Sequence, residues 1–360
     1  MARELDQGGS ERQLAEIAKS LDRTRFTPHV GAFRPGGLRW RELNAAGIPL
    51  VHFPVPSALS VKGAVAIGRY IRGYDIRLVH AFDTPANLYG VPAARMACAP
   101  VVLSSQRAHR DLAPRVRFLM RLTDFIADGI VVNCEFLRRH LIEDERVPAG
   151  RIQICHNGVD VDNFHGRCRC RPEPLRDASL VIGVVCALRP EKGLETLVEA
   201  FARVCGRRPG MKLAIVGSGS CEPDLRARAG TLGIAPACVF QPSTAQVAAW
   251  LRGIDIFVLP SLSEALSNSL MEAMSCGCCA VASRVGGNPE LVEHGRTGLL
   301  FEPRDAAGLA SALDSLIDQP ALRSELAQNG TRLMHENFRL EASARRMGQI
   351  YSTFLERARA

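Results

Sequence analysis

Short apolar runs bounded by glycine, proline and charge alternate along this chain with longer stretches whose apolar positions recur at helical spacing. That alternation is the pattern of parallel sheets with crossover helices. In the first half it predicts strands over residues 28–33, 48–53, 76–80, 100–104, 129–132 and 152–155, with helices such as 12–21 and 86–97 between them. The second half repeats the scheme at 180–187, 211–216, 237–240, 254–259, 278–283 and 298–301. Near-continuous apolar runs such as 181–188 suit strands covered on both faces. Two long helical patterns, 306–318 and 340–357, finish the chain.

A length of 360 residues fits two domains. The pattern places a first domain at 1–164 and a linker at 165–178, rich in Arg and Pro and carrying Cys168 and Cys170. A second domain follows at 179–338, and a final helix at 339–360 is expected to pack back on the first domain. The fold class expected is α/β, two doubly wound parallel-sheet domains facing each other. In such sheets ligands bind at the carboxyl ends of strands, so the expected site is the cleft between the domains.

Composition excludes little but narrows the setting. With 47% hydrophobic and 23% charged residues the chain is an ordinary globular protein. It has no uninterrupted apolar run of about 18 residues. Met1 is followed by Arg3, Glu4 and Asp6, unlike a secretory signal, so the expected location is the cytoplasm with reduced thiols. The twelve cysteines are scattered. The CxxC spacing Cys276-Gly277-Cys278-Cys279 lies in an apolar stretch and reads as core thiols.

Charge is unevenly placed. Residues 1–158 hold 22 Lys/Arg against 15 Asp/Glu, which is +7 of the net +8. No nucleic-acid module accompanies it, so nucleic acid is not expected as a partner. The basic segment Arg107-Ala108-His109-Arg110, continuing through Arg115, Arg117 and Arg121, could face an anionic membrane or a phosphorylated acceptor, or be a solvated helix.

Three loop segments carry candidate chemistry. Pro260-Ser261-Leu262-Ser263-Glu264-Ala265-Leu266-Ser267-Asn268-Ser269-Leu270-Met271-Glu272 follows a strand and enters a helix. Backbone N–H groups from Leu266 to Ser269 would form an anion site at that helix start. Ser269-x-x-Glu272 also reads as a capping box that needs no ligand, whereas Glu264 beside an anion site makes sense if it binds hydroxyls. Arg189-Pro190-Glu191-Lys192-Gly193 puts two cations at a helix N-terminus, against the macrodipole, which suits a phosphate held between them; a solvated surface pair is the alternative. Val285-Gly286-Gly287-Asn288-Pro289-Glu290 is a glycine turn able to approach a ligand closely.

Together these blocks resemble the retaining glycosyltransferases of family 4, which have the GT-B fold of two facing Rossmann-like domains. The likeness rests on Arg189-x-x-Lys192-Gly193, on Glu264 and Glu272 with Pro260-Ser261 before them, and on Gly286-Gly287-Asn288-Pro289-Glu290. Asn157-Gly158-Val159-Asp160 with Phe164, Gly217-Ser218-Gly219 and Gly8-Gly9-Ser10-Glu11-Arg12-Gln13-Leu14 extend it from about residue 5 to the end. The resemblance implies transfer of a sugar from a nucleotide-sugar donor to an unidentified acceptor with retention at the anomeric carbon.

By the same resemblance, Arg189 and Lys192 hold the donor diphosphate, Glu264 contacts the sugar and Glu272 the ribose. Amides of Leu266, Ser267, Asn268 and Ser269 meet sugar and phosphates, and Gly9 and Gly217 line the donor. Fixed cations and helix amides would stabilise the leaving diphosphate, so neither a metal nor another cofactor is expected. Asp160-Val161-Asp162 has DxD spacing but falls inside the Asn-Gly-Val-Asp motif and reads as structural. In the first domain, Gln106 stands where the family often has His near the donor sugar. With Arg107, His109 and His80, it makes up the candidate sugar or acceptor residues, although His80 reads more readily as a satisfied structural histidine. Only Met1–Gln7 precede the Gly8-Gly9 loop, too short and too charged for the family's first central strand, so a first domain lacking that strand is expected. A nucleotide-sugar epimerase or hydrolase of the same architecture and a non-catalytic nucleotide-sugar-binding protein are the competing readings. A dehydrogenase lacks its third glycine after Gly217-Ser218-Gly219.

Overall fold

The computed structural model describes residues 1–6, 8–55, 60–109, 113–166 and 171–359; Gln7, Arg110, Cys168 and Cys170 lie outside them. The chain divides into two compact units, Met1–Gly158 with Leu340–Ala360, and Val159–Arg339.

In the first unit, β3 (Leu78–His80), β4 (Val101–Gln106), β5 (Gly129–Val132) and β6 (Ile152–Ile154) form a parallel four-stranded sheet in that order. β1 (Val30–Ala32) and β2 (Leu50–His52) form a separate parallel pair. The missing-strand expectation is refined at this gap. Met1 and Ala2 lie between the two sheets: the Met1 amine donates to His80 O at 2.6 Å, and Phe82 N donates to Met1 O at 2.9 Å. On the other side Ala2 N donates to Gly31 O at 3.0 Å and Phe33 N to Ala2 O at 3.2 Å. Ala2 and Leu5 are fully buried, and Ala2 makes an isolated parallel bridge to Ala32, so the first residues fill the gap between the two sheets despite their charged neighbours. A cavity of about 590 Å³ adjoins Met1, lined by β1, β3 and apolar side chains such as Leu14, Ile17, Ile67 and Ile71.

The helix Leu340–Arg357 packs on this unit, against the helix Gly9–Ser20, with Met347, Ile350 and Phe354 in its core and the Phe354 ring seated over Gly129.

The second unit holds one six-stranded parallel sheet in the order β12-β11-β10-β7-β8-β9. Its strands are β7 (Leu180–Val185), β8 (Met211–Val216), β9 (Cys238–Gln241), β10 (Ile256–Leu259), β11 (Cys279–Ser283) and β12 (Gly298–Phe301). The apolar runs that predicted these strands are buried throughout β7, β10 and β11, as central strands covered on both faces require. Of the stretch 165–178, expected as a linker, residues 165–166 and 171–178 lie in this unit, and 167–170 are outside the described residues. Arg171 pairs with Asp255, the residue before β10, at 2.6 Å, and Leu175 is fully buried. The helix Pro320–Asn337, which the sequence pattern did not single out, packs against β11 and the helix Asn268–Ser275.

Candidate functional site

The loops after β7, β10 and β11, three neighbouring strands, meet at the carboxyl end of the second sheet, where an open α/β sheet binds ligands. After β7 the chain passes Arg189, makes one 3₁₀ turn at Pro190–Lys192 and leaves through Gly193 at φ 57°. A Cβ on Gly193 would stand 2.5 Å from Pro260 O, so only glycine lets this loop lie against the loop after β10. Leu262 N completes that contact by donating to Glu191 O at 2.8 Å.

The contact brings the two predicted charges together. Lys192 Nζ donates to Glu264 Oε1, and Ser261 Oγ donates to the same oxygen at 2.7 Å. Glu264 is therefore fixed by two donors before any ligand arrives. Burial pulls the Lys192 ammonium down, but the charge of Glu264 and its hydrogen bond outweigh burial and hold the lysine above its ordinary value. Arg189 is more open: its side chain is 57% exposed and stands 3.9 Å from Glu191.

The loop after β11 closes the other side. Gly286 sits at φ 55°, and a Cβ there would fall 1.8 Å from Glu264 O. Gly287 N donates to Ala265 O at 2.8 Å. Ser283 Oγ donates to Ser261 O at 2.6 Å, and Asn288 Nδ2 donates to Ser283 O at 3.0 Å. Ser261 and Ser283 hold the loop that carries Glu264, a role the sequence reading did not assign. Their only advance signal was Ser261's place beside Pro260 in the motif. Gly217 lies on the loop after β8, where its N–H donates to Gln241 O at 2.8 Å and Leu188 N donates to Ser218 O at 3.0 Å.

The helix Asn268–Ser275 starts two residues earlier than its capping-box reading requires. Ser267 is its N-cap, with Oγ accepting from Leu270 N at 3.4 Å and standing 3.2 Å from Ser269 Oγ. Glu272 therefore lies in the second turn, too far along to close a box with Ser269, and the capping explanation falls. The Glu272 residue is nevertheless only 3% exposed. Leu266 and Ser267 are buried beside it, with Asn268 and Ser269 at the helix start.

The remaining candidates lie in the first unit. Gly9 opens the helix Gly9–Ser20 with Gly8 as N-cap. His80 is buried with a partner on each ring nitrogen: Nδ1 lies 2.8 Å from the Tyr351 hydroxyl and Nε2 2.8 Å from Ser105 Oγ. Burial, then Arg107 and the chain amine, hold it well below the usual histidine range, so it stays neutral. Gln106 Nε2 donates to Asp124 Oδ2 at 2.7 Å. Arg107 is buried, its guanidinium 4.8 Å over the Phe82 ring and donating to Asn157 Oδ1 at 3.0 Å. His109 stacks edge-on against Phe136, with ring centroids 5.2 Å apart.

Two other motifs resolve into structure. Asp160 Oδ1 accepts from the backbone N–H groups of Asp162 and Asn163 at 3.2 and 3.1 Å, a turn made by the first DxD carboxylate. Cys276, Cys278 and Cys279 are buried, and burial pushes the Cys276 and Cys279 thiols up to about 12, where they are unreactive.

Two family models match the chain in succession. "Glycosyltransferase Family 4" covers residues 7–163, and "Glycosyl transferases group 1" covers residues 179–319. A D-inositol 3-phosphate glycosyltransferase of Acidothermus cellulolyticus is 33% identical over 258 residues, 67% of this chain and 57% of that protein. One of Streptomyces avermitilis is 29% identical over 245 residues, 64% of this chain and 53% of that protein. The chain thus spans about half the length of the curated relatives it matches. Among solved structures, Anabaena Alr3699/HepE in complex with UDP superposes with a TM-score of 0.84 at 22% identity, covering 98% of each chain. Sucrose-phosphate synthase from Thermosynechococcus elongatus gives a TM-score of 0.81 at 19% identity, covering 97% of this chain and 94% of that one. At these identities the likeness establishes the two-domain GT-B fold.

Proposed function

The chain belongs to the family 4 glycosyltransferases, and from that premise we propose that it transfers a sugar from a nucleoside diphosphate sugar to an acceptor, with retention at the anomeric carbon and without a metal. The observation that carries the reading is the Lys192–Glu264 pair. It ties a diphosphate-gripping lysine to a sugar-contacting carboxylate across two adjacent loops, at the start of the helix Asn268–Ser275.

Transfer breaks the bond between the anomeric carbon and the diphosphate oxygen, so positive charge develops on the sugar and negative charge on the leaving group. Arg189, open to solvent, and Lys192 would meet the diphosphate from one side, and the first amides of the helix from the other. As the Lys192 ammonium turns toward phosphate, Ser261 Oγ keeps Glu264 in place. Glu264 then faces the sugar where positive charge grows, and Glu272 takes the ribose hydroxyls. Charge on the diphosphate is met by these fixed groups, which is the physical ground for metal independence. Peripheral contact of the basic first domain with an anionic membrane belongs to the same reading.

The test is a thermal-shift panel of UDP-, GDP- and ADP-sugars with EDTA present, followed by turnover with the stabilising donor. A ligand at about 100 times its Kd adds about 2.7 kcal/mol. Stabilisation by one nucleotide series and release of its diphosphate only with an acceptor support transfer. Free sugar and nucleotide from donor alone would favour the epimerase or hydrolase reading, and binding without turnover the non-catalytic one.

A further inference from the structure

Helices on the surface of a domain normally turn polar side chains outward. The helix Pro114–Ile126 does the reverse. Met120, Thr123 and Asp124 are buried, while Phe118, Leu119, Leu122, Phe125 and Ile126 are exposed, Phe118 by 61% and Phe125 by 75%. At about 100° per residue these five fall in one stripe about 120° wide, on the side opposite the buried three. Half of the exposed large hydrophobic side chains among the described residues lie on this one helix. A sixth, Met96, is 78% exposed and stands nearby, since Arg95 Nε donates to Ile126 O at 2.7 Å.

Charge flanks the stripe. Arg115 is exposed at its head, and Arg117 and Arg121 run along its edge, 49% and 52% exposed, both reaching Glu145. The one acid on the helix, Asp124, points inward. We propose that this face seats the first unit on an anionic bilayer, the apolar stripe entering the headgroup boundary and the arginines meeting lipid phosphates. Phe and Leu on one face with Arg beside them is the pattern of an interfacial helix. A second copy fits less well, because pairing two such faces would bring like arginines together. The excess of 22 Lys/Arg over 15 Asp/Glu in residues 1–158 acts in the same direction. This deepens the membrane contact in the reading above and does not require glycosyl transfer.

The experiment uses the full chain with vesicles of phosphatidylcholine, alone or mixed with phosphatidylglycerol, and reads co-sedimentation. The wild type is expected to sediment with the anionic vesicles and not with phosphatidylcholine alone. Phe118→Gln/Leu122→Gln/Phe125→Gln should lower partitioning about tenfold or more. Arg115→Gln/Arg117→Gln should weaken it most at low salt. The apolar variant replaces exposed side chains with a good helix former, so its Tm and its UDP binding should be unchanged, which keeps this outcome separate from the donor site. A wild type that ignores anionic vesicles, or an apolar variant that binds them equally, overturns the proposal. So does a dimer in sedimentation velocity that the same three substitutions dissociate.

Discussion

Glu264→Gln keeps the side chain's shape and removes one charge from a pair that is largely out of water, Lys192 being 20% exposed and Glu264 11%. In the wild type, burial lowers the Lys192 pKa and Glu264 more than restores it. In the variant burial remains and the carboxylate is gone, so the lysine falls below its ordinary value. A charge-assisted hydrogen bond contributes about 1.5–3 kcal/mol, and breaking a fully buried pair from one side costs about 3–5 kcal/mol. Because a fifth of the lysine side chain meets solvent, the lower range applies. In a unit of this size each kcal/mol is worth about 2–4 °C, so Tm should fall by roughly 3–12 °C. The lysine's share of the wild-type contribution is full at neutral pH and is lost as pH rises through the raised pKa of Lys192.

A nucleoside diphosphate supplies the anion that the substitution removed. UDP should therefore stabilise Glu264→Gln at least as much as the wild type, while turnover falls because the sugar has lost its carboxylate. Scanning calorimetry with and without UDP, beside turnover with the matching donor, reads all three effects. An unchanged Tm, full kcat, or UDP binding weakened beyond tenfold would refute the reasoning.

Glu272→Gln should weaken UDP by about 10-fold to 150-fold, the worth of one charge-assisted bond to a hydroxyl, and calorimetric binding equal to the wild type would remove it from the ribose. Asp124 is pushed up to about 6, first by burial, with Ser104, Gln106 and Arg151 pulling the other way. The folded state thus holds its proton more tightly, and stability falls as pH rises from about 4 to 6 and stays lower above. Asp124→Asn should accordingly stabilise the fold at pH 7, by up to about 3 kcal/mol, and raise Tm there, with the advantage gone near pH 4; a lower Tm at pH 7 would contradict this. An N-terminal extension of about four apolar residues should enter the 590 Å³ cavity beside Met1 and raise Tm, each residue advancing about 3.3 Å along β1 and β3. The same extension interrupted by proline should not, and equal melting of the two would show that no strand fits there.

Strand positions were legible because β5, β8 and β12 are apolar runs closed by glycine or charge, and pattern alone bounds them. The helix Pro320–Asn337 was not. Its buried positions are Leu326, Ala327, Gly330 and Met334, and two small residues leave little apolar signal. In the candidate site, Arg189, Lys192 and Glu264 stood out because cations at a helix start oppose the macrodipole and an acid beside an anion site adds repulsion, and the structure brings Lys192 and Glu264 together. The serines behind them stayed hidden, because a hydroxyl holding a distant backbone oxygen, as Ser283 does for Ser261, leaves no local pattern. The helix start was misplaced for a related reason: Ser267 and Ser269 are both competent caps, and only the path of the preceding loop selects the first. His80 shows the same limit, its partner Tyr351 standing 271 residues away in sequence.

The central claim is a metal-free diphosphate site on the second unit, and calorimetric titration of UDP into the full chain in EDTA tests it most directly. Wild type and Arg189→Ala/Lys192→Ala are compared under identical salt. Binding by the wild type without metal, weakened about tenfold or more in the double variant, is the predicted result. UDP binding that needs magnesium or manganese, or that survives loss of both cations unchanged, would contradict it.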